Sequence, residues 1–306
     1  HDPPAKQARS GSRVGLGRRA PLRGRVRAAA ARTWIAFAAA AIIPALTVVA
    51  PILTFLVISL FRVENNQIVR DVNLANYQEV FGNSTYRTTF FGSLWLCTQV
   101  ATFSLLAGYP VAWFVWQRRG RVRNVLLLIT VLPLFMSYIV KLYTLRAVLG
   151  LNGLLNQALV GVGILDEPSK AFLYNQRAVL LTMTVVYLPF VILPIFISLE
   201  RIPHRLLEAS NDLGANPLRT FQRVVLPLSL PGTVAGALFA FVLALGDFIT
   251  PQMVGGTTGF TFGRLIWSQF GLAYNWPLGA AMAAVLLATA LVIILMAGYA
   301  VRQNRV

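Results

Sequence analysis

A chain of 306 residues that is 57% hydrophobic and only 12% charged is too apolar for a soluble domain of its size, and reads as an integral membrane protein. Its net charge of +17 would suit a nucleic-acid binder, but the arginines cluster at the ends of apolar segments, which is a topology signal and argues against nucleic acid as a partner. The single cysteine, Cys97, lies in an apolar run, so an intrachain disulfide is excluded and the redox compartment stays open.

Residues 1–33 hold nine Lys/Arg and one acid, Asp2, among Gly, Pro and Ser. Such a basic arm cannot bury a core and reads as disordered, with anionic membrane lipid as its expected contact. Its charge block and the apolar run after it are both longer than a signal peptide's, so the run is expected to be an uncleaved anchor. The Gly15-Leu16-Gly17 stretch follows no strand and is no dinucleotide loop.

Apolar segments recur at about 34–61, 88–116, 125–149, 178–199, 232–252 and 278–301. Each approaches or exceeds the roughly 20 residues that cross about 30 Å of hydrocarbon as a helix. Prolines interrupt most of them (Pro44, Pro51, Pro110, Pro133, Pro189, Pro194), which membrane helices tolerate where neighbours re-satisfy the freed carbonyls. Six spans put both termini on one side. The arm, the 117–124 loop, the 200–232 loop and the 302–306 tail together carry nineteen of the 27 basic residues, so these parts are expected on the cytoplasmic side.

The other loops are longer. Residues 62–87 include a short helix candidate, NLANYQEVF, opened by an Asn cap, and residues 150–177 carry GLNGLLN and LDEP, read mainly as loop geometry.

The 200–232 loop, ERIPHRLLEASNDLGANPLRTFQRVVLPLSLPG, is the one long polar segment in the second half of the chain. LLEASNDL reads as a short helix with Leu206, Leu207 and Leu213 on one side and Glu208 and Asp212 on another. Gly214 stops it, because a residue without a Cβ readily takes the left-handed conformation that closes a helix. Asn216-Pro217 then turns the chain and starts a second short amphipathic helix, PLRTFQRVVL. A solvated loop is the plain alternative; a rigid docking knob is the functional one.

A family resemblance decides between them. Glu208-Ala209-Ser210, then Gly214, then Val224, Leu226 and Pro227 resemble the EAA loop of the membrane subunits of ABC importers. Ser210 stands where the pattern usually has a second Ala, and Val224 where it has Ile. In that family the loop is the coupling helix that sits in a cleft of the ATPase, and Glu208, Ala209, Ser210, Gly214, Val224, Leu226 and Pro227 would be its coupling residues here. GLNGLLN, LDEP, VYLPFVILPIFISLE, ALGDFITP and WPLGAA look like the permease subunits of spermidine/putrescine importers, over about Tyr86 to Gly298. The long basic arm and Gly255-Gly256-Thr257-Thr258 depart from it.

Asp247, in LALGDFITP, is the one acid within an apolar segment, and an intramembrane carboxylate marks a cavity or a partner. Gly246 and Pro251 beside it allow local unwinding. A structural pairing with Lys141 or Arg146 competes with a contact to cationic cargo. Trp95, Tyr138, Tyr143 and Tyr187 could offer cation–π faces worth about 0.5–2 kcal/mol each, although helix packing is the plainer role for any one of them.

Enzyme readings do poorly. The two histidines, His1 and His204, lie outside the spans, so a Ser–His hydrolase or a His-ligated metal site has no material there. No Gly-Lys pair exists for a P-loop, so no nucleotide or other cofactor is expected and energy must come from a separate ATPase. A secondary transporter would carry repeats with broken helices at matching positions, which one unique loop fits poorly.

The expectation is an all-α, six-span membrane protein. By resemblance it has the type I ABC importer permease (MetI-like) fold, with residues 88–301 as a five-helix core and the first span, 34–61, packing on a partner permease. The same resemblance implies an ATPase dimer, a second permease that is a distinct paralogue, an extracytoplasmic binding protein and the bacterial inner membrane. Polyamine is the implied cargo; related permeases move thiamine, ferric ion, phosphonates and opines.

Overall fold

The computed structural model describes residues 40, 42–43, 45–64 and 67–303. The basic arm, the start of the first apolar segment and residues 304–306 lie outside the described residues. Contacts divide the chain into a unit ending at Thr54 and a unit from Phe55 to Val306. An apolar helix, α1, covers Ala45–Ile58.

A two-residue-linked antiparallel hairpin follows, β1 (Arg62–Glu64) and β2 (Gln67–Val69), in register Arg62↔Val69 and Glu64↔Gln67. Helix α2 (Ala75–Gly82) falls where NLANYQEVF predicts it, and Asn73 Oδ1 accepts from Ala75 N at 3.0 Å. Buried Asn76 then donates to the carbonyls of Ser59 (2.8 Å) and Phe61 (2.6 Å), tying α2 to the chain before the hairpin. The hairpin itself has no clear alternation in its sequence.

Among the described residues, four helices are long and apolar enough to cross a membrane: α3 (Ser84–Gln117), α7 (Gln176–Glu200), Pro217–Gly246 and α13 (Trp276–Gln303). Pro110, Pro189 and Pro194 sit inside α3 and α7 without ending them. The third apolar segment behaves differently. Helix α4 (Gly120–Val131) passes into a 3-10 turn, Leu132–Phe135, and resumes as α5 (Tyr138–Leu149), with α6 (Leu154–Gly161) after it. The two halves are bent by 103°, so 125–149 is a broken span or a re-entrant loop and not a straight helix. Pro133 in the first turn of the 3-10 segment and the extended Met136 (ψ 142) and Ser137 (ψ 135) make the break.

The core is a three-helix contact of α3, α7 and the Pro217–Gly246 helix. On the last of these, Gly232, Gly236, Ala240 and Ala244 recur every four residues and are all buried. One helical face is therefore nearly bare, and α7 can approach it backbone to backbone. A Cβ on Gly236 would stand 2.9 Å from the Val191 carbonyl oxygen. This close crossing fixes the height of everything at the far ends of both helices.

The Pro217–Gly246 helix begins as a single α-turn, α9 (Pro217–Thr220), widens into a π-turn (Phe221–Val225) and continues as α10 (Leu226–Gly246). PLRTFQRVVL is thus the start of a span, and the free part of the 200–232 loop is shorter than its sequence suggests. Past α10 come α11 (Ile249–Val254) and α12 (Phe262–Gly271), and a second small core of Val80, Phe262, Leu265, Leu278 and Met282 joins α2, α12 and α13.

In the 150–177 loop, fully buried Asn156 bridges Gly150 O and Ser169 O through its amide (both 3.0 Å) and accepts from Ser169 N at 2.9 Å. GLNGLLN is thus a turn running into the first turn of α6, with Asn156 holding the loop around it.

Candidate functional site

Two places carry the candidate residues. The first is at the end of α10. Asp247 leaves the helix in extended conformation (φ −78, ψ 117), and the residue is only 7% exposed. Oδ1 accepts from the backbone N–H of Ile249 and Thr250, both at 3.0 Å, so the carboxylate caps α11. Oδ2 accepts from the hydroxyls of Tyr138 at 2.5 Å and Tyr187 at 2.8 Å. Tyr138 Oη also stands 2.6 Å from Thr250 Oγ1. A phenol has one proton, so Tyr138 donates to the carboxylate and accepts from Thr250.

Four donors satisfy this buried charge, and no cation is needed. Lys141 makes no ion pair with Asp247, and Arg146 donates to Tyr174 Oη at 2.8 Å instead. The alternative of a structural pairing of Asp247 with Lys141 or Arg146 gives way to a tyrosine–backbone cage. The reason is reach: α5 places Lys141 one turn beyond Tyr138, with Nζ 5.7 Å from that ring's centroid. Asp247, Tyr138, Tyr187 and Lys141 line one cavity of about 510 Å³ together with Phe190, Phe248 and aliphatic side chains.

Of the four aromatic residues singled out in the sequence, Tyr138 and Tyr187 join Asp247. Trp95 and Tyr143, 63% and 57% exposed, do not line the cavity. Sequence reasoning missed Thr250, whose hydroxyl reaches Tyr138 from a helix distant in sequence. It also missed Phe190 and Phe248, which nothing in the pattern distinguishes from core residues.

The second place is the elbow. Helix α8 covers His204–Asp212, and Gly214 takes φ +74, with Gly214 N bonded to Asn211 O (2.9 Å) and Ala215 N to Ser210 O (3.1 Å). Asn216 Oδ1 accepts from Arg219 N at 2.8 Å, capping the next helix with Pro217 at its start. Ser210 Oγ lies 2.9 Å from Thr220 Oγ1 and staples the two arms of the elbow.

Helix α8 buries none of its residues. Leu207 turns inward against the core, whereas Leu206 and Leu213 point out, the latter 88% exposed; the three leucines do not share a face. Glu208 and Ala209 are exposed as well, and Glu208 makes no ion pair among the described residues. Val224, Leu226 and Pro227 lie in the π-turn and the first turn of α10, and between them Val225 is the fully buried residue. Phe221 packs edge-on against Tyr109 (5.7 Å) and Trp113 (5.2 Å), and Trp116 stacks on His204, so α3 braces the elbow from behind.

Comparison with known proteins decides what carries these features. Residues 104–306 match the model of the binding-protein-dependent transport system inner membrane component family. The chain belongs to that family. As an inner membrane component it is a multi-pass membrane subunit of a transport system, and its permease fold recurs in solved importers. It is 36% identical over 211 residues to the spermidine/putrescine transport system permease protein PotB of Haemophilus influenzae, covering 69% of this chain and 73% of that one. It is also 36% identical over 228 residues to the inner membrane ABC transporter permease protein YdcU of Escherichia coli K12, covering 70% and 72%. Among solved structures, a bacterial ABC transporter that imports the acidic polysaccharide alginate matches 91% of this chain and 99% of its own, with a TM-score of 0.69 at 18% identity.

Proposed function

We propose that this inner membrane component is the permease subunit of an ATP-driven importer of polyamines of the spermidine/putrescine class. ATP would be hydrolysed by a separate pair of subunits, each permease of the complex offering one elbow, and the second permease would be a paralogue of this chain. A binding protein outside the membrane would deliver the cargo. The arginine distribution argues for an elbow and termini facing the cytoplasm.

The observation that carries the coupling role is the elbow itself: Glu208, Ala209 and Leu213 stand exposed around a left-handed Gly214, on a helix braced by α3. An exposed leucine beside an unpaired carboxylate is what a docking face presents before its partner arrives. For the cargo, support comes from the curated relative's name and from the cavity at Asp247. Its carboxylate is saturated by four donors, so an incoming ammonium would meet the Tyr138 and Tyr187 faces first, and would reach the carboxylate by displacing a tyrosine hydroxyl. Residues 88–301 would form the translocating core, with the first span on the partner permease and the 1–33 arm setting topology against anionic lipid. Thermal-shift screening of the cognate binding protein against putrescine, spermidine, thiamine, ferric ion, phosphonates and opines tests the cargo. A shift with polyamines alone is expected, and a shift with another of these solutes alone would reject polyamine.

A further inference from the structure

The end of α3 that braces the elbow also borders a cavity of about 420 Å³ that neither the cargo path nor the coupling face uses. Its wall from α8 consists of His204, Leu207 and Asn211, spaced three and four apart on the inner face of that helix. Glu208 and Leu213 do not line it. The two faces of α8 are thus separately committed.

The lining combines aromatic rings with arginines. Trp113 and Trp116, ring centroids 5.2 Å apart, form one side at the height where α3 ends. Arg118, Arg119 and Arg123 form the rim against a single acid, Glu200, which is paired with Arg123. Arg118 rests its guanidinium on the Phe114 ring, 4.2 Å from the centroid, and Arg119 is exposed with no side-chain hydrogen bond or ion pair among the described residues. Two guanidinium groups therefore have donors to spare. They sit in the extended break between α3 and α4, and the first N–H groups of α4 have no side-chain cap, so the helix adds its own preference for an anion there.

We infer that this cavity is a seat for the phosphate of an anionic phospholipid, held by Arg118 and Arg119 at the rim with its glycerol and upper acyl carbons against Trp113 and Trp116. Guanidinium matches phosphate oxygens bidentately. Paired tryptophans at the end of a long apolar helix belong at the headgroup level, and basic pockets between membrane helices take anionic headgroups. A soluble phosphate compound would use the arginines alone; the tryptophans beside them favour the lipid. The site would brace α8 from its inner face while the outer face stays free. The inference does not depend on which solute the protein carries.

The test uses the full chain purified in a neutral maltoside detergent, titrated with dioleoylphosphatidylglycerol or dioleoylphosphatidylcholine and read by native mass spectrometry. The glycerol lipid should bind about tenfold more tightly, and Arg118→Gln/Arg119→Gln should remove that preference. Arg70→Gln/Arg87→Gln removes equal charge elsewhere and should preserve it. A wild-type measurement stands apart from variant folding: phosphatidylglycerol with brominated acyl chains should quench tryptophan fluorescence more than brominated phosphatidylcholine does. Equal quenching by the two lipids would overturn the inference, as would an equal loss in both arginine pairs, which means diffuse charge. Inorganic phosphate competing at millimolar concentration would assign the site to soluble phosphates instead, and displacement of the lipid by added ATPase subunits would assign it to the protein interface.

Discussion

The coupling assignment is most sharply tested at Gly214. A Cβ there would meet nothing within 4 Å, so a substitution creates no clash in this chain. What it meets is the left-handed backbone, φ +74. A non-glycine residue pays about 1–2 kcal/mol to stay there, a β-branched one at the upper end, whereas Asn visits the region readily. If the ATPase grips the elbow in this conformation, that cost appears as weaker docking by about 5- to 30-fold, since 1.4 kcal/mol is a factor of ten. The expected order of affinity for the ATPase is Gly ≈ Asn > Ala > Val, with uptake following it and the membrane subunit still expressed and inserted. Pull-down of the ATPase with each variant, followed by uptake, reads this. Wild-type docking by Gly214→Val would refute the reasoning. So would an Asn variant as poor as Val, because the defect would then come from side-chain bulk at the interface and not from backbone conformation.

Other outcomes follow from the same structure. Asp247→Ala strips the acceptor from two tyrosine hydroxyls and two backbone N–H groups and should cost about 3 kcal/mol or more in the thermal stability of the purified chain. Adding Lys141→Ala should recover neither stability nor uptake, because the two groups are not an ion pair; recovery would restore the charge-pair reading. Gly236→Ala forces a Cβ to within 2.9 Å of the Val191 carbonyl oxygen and should cost about 1–3 kcal/mol, read as a lowered melting temperature. Deleting residues 1–20 while Arg23, Arg25, Arg27 and Arg32 remain should leave uptake intact, and loss of uptake in an assembled complex would give the arm a role in transport.

The apolar segments and the elbow were legible in the sequence because each rests on a local rule. Length and hydropathy mark α3, α7 and α13, and Gly214, Asn216 and Pro217 announce their own backbone conformations. The break in the third segment was not, although Pro133 marks its place: Pro110, Pro189 and Pro194 are tolerated in continuous helices, so proline alone cannot tell a kink from a 103° turn. PLRTFQRVVL reads as a separate helix because its amphipathic pattern is real, yet its apolar face packs on Tyr109 and Trp113 of α3 and the π-turn carries it straight into α10. Around Asp247 the sequence identifies the carboxylate but not its partners. Tyr138 and Tyr187 come from helices 109 and 60 residues away in the chain, and no local rule selects them over Trp95 and Tyr143.

The most direct measurement is uptake of radiolabelled putrescine and spermidine into proteoliposomes that contain this chain, its paired permease and the ATPase, with the cognate binding protein outside. The account predicts accumulation that requires ATP within the lumen and falls steeply with Gly214→Val. Accumulation without ATP, or ATP-driven import of some other solute with none of polyamines, would contradict it.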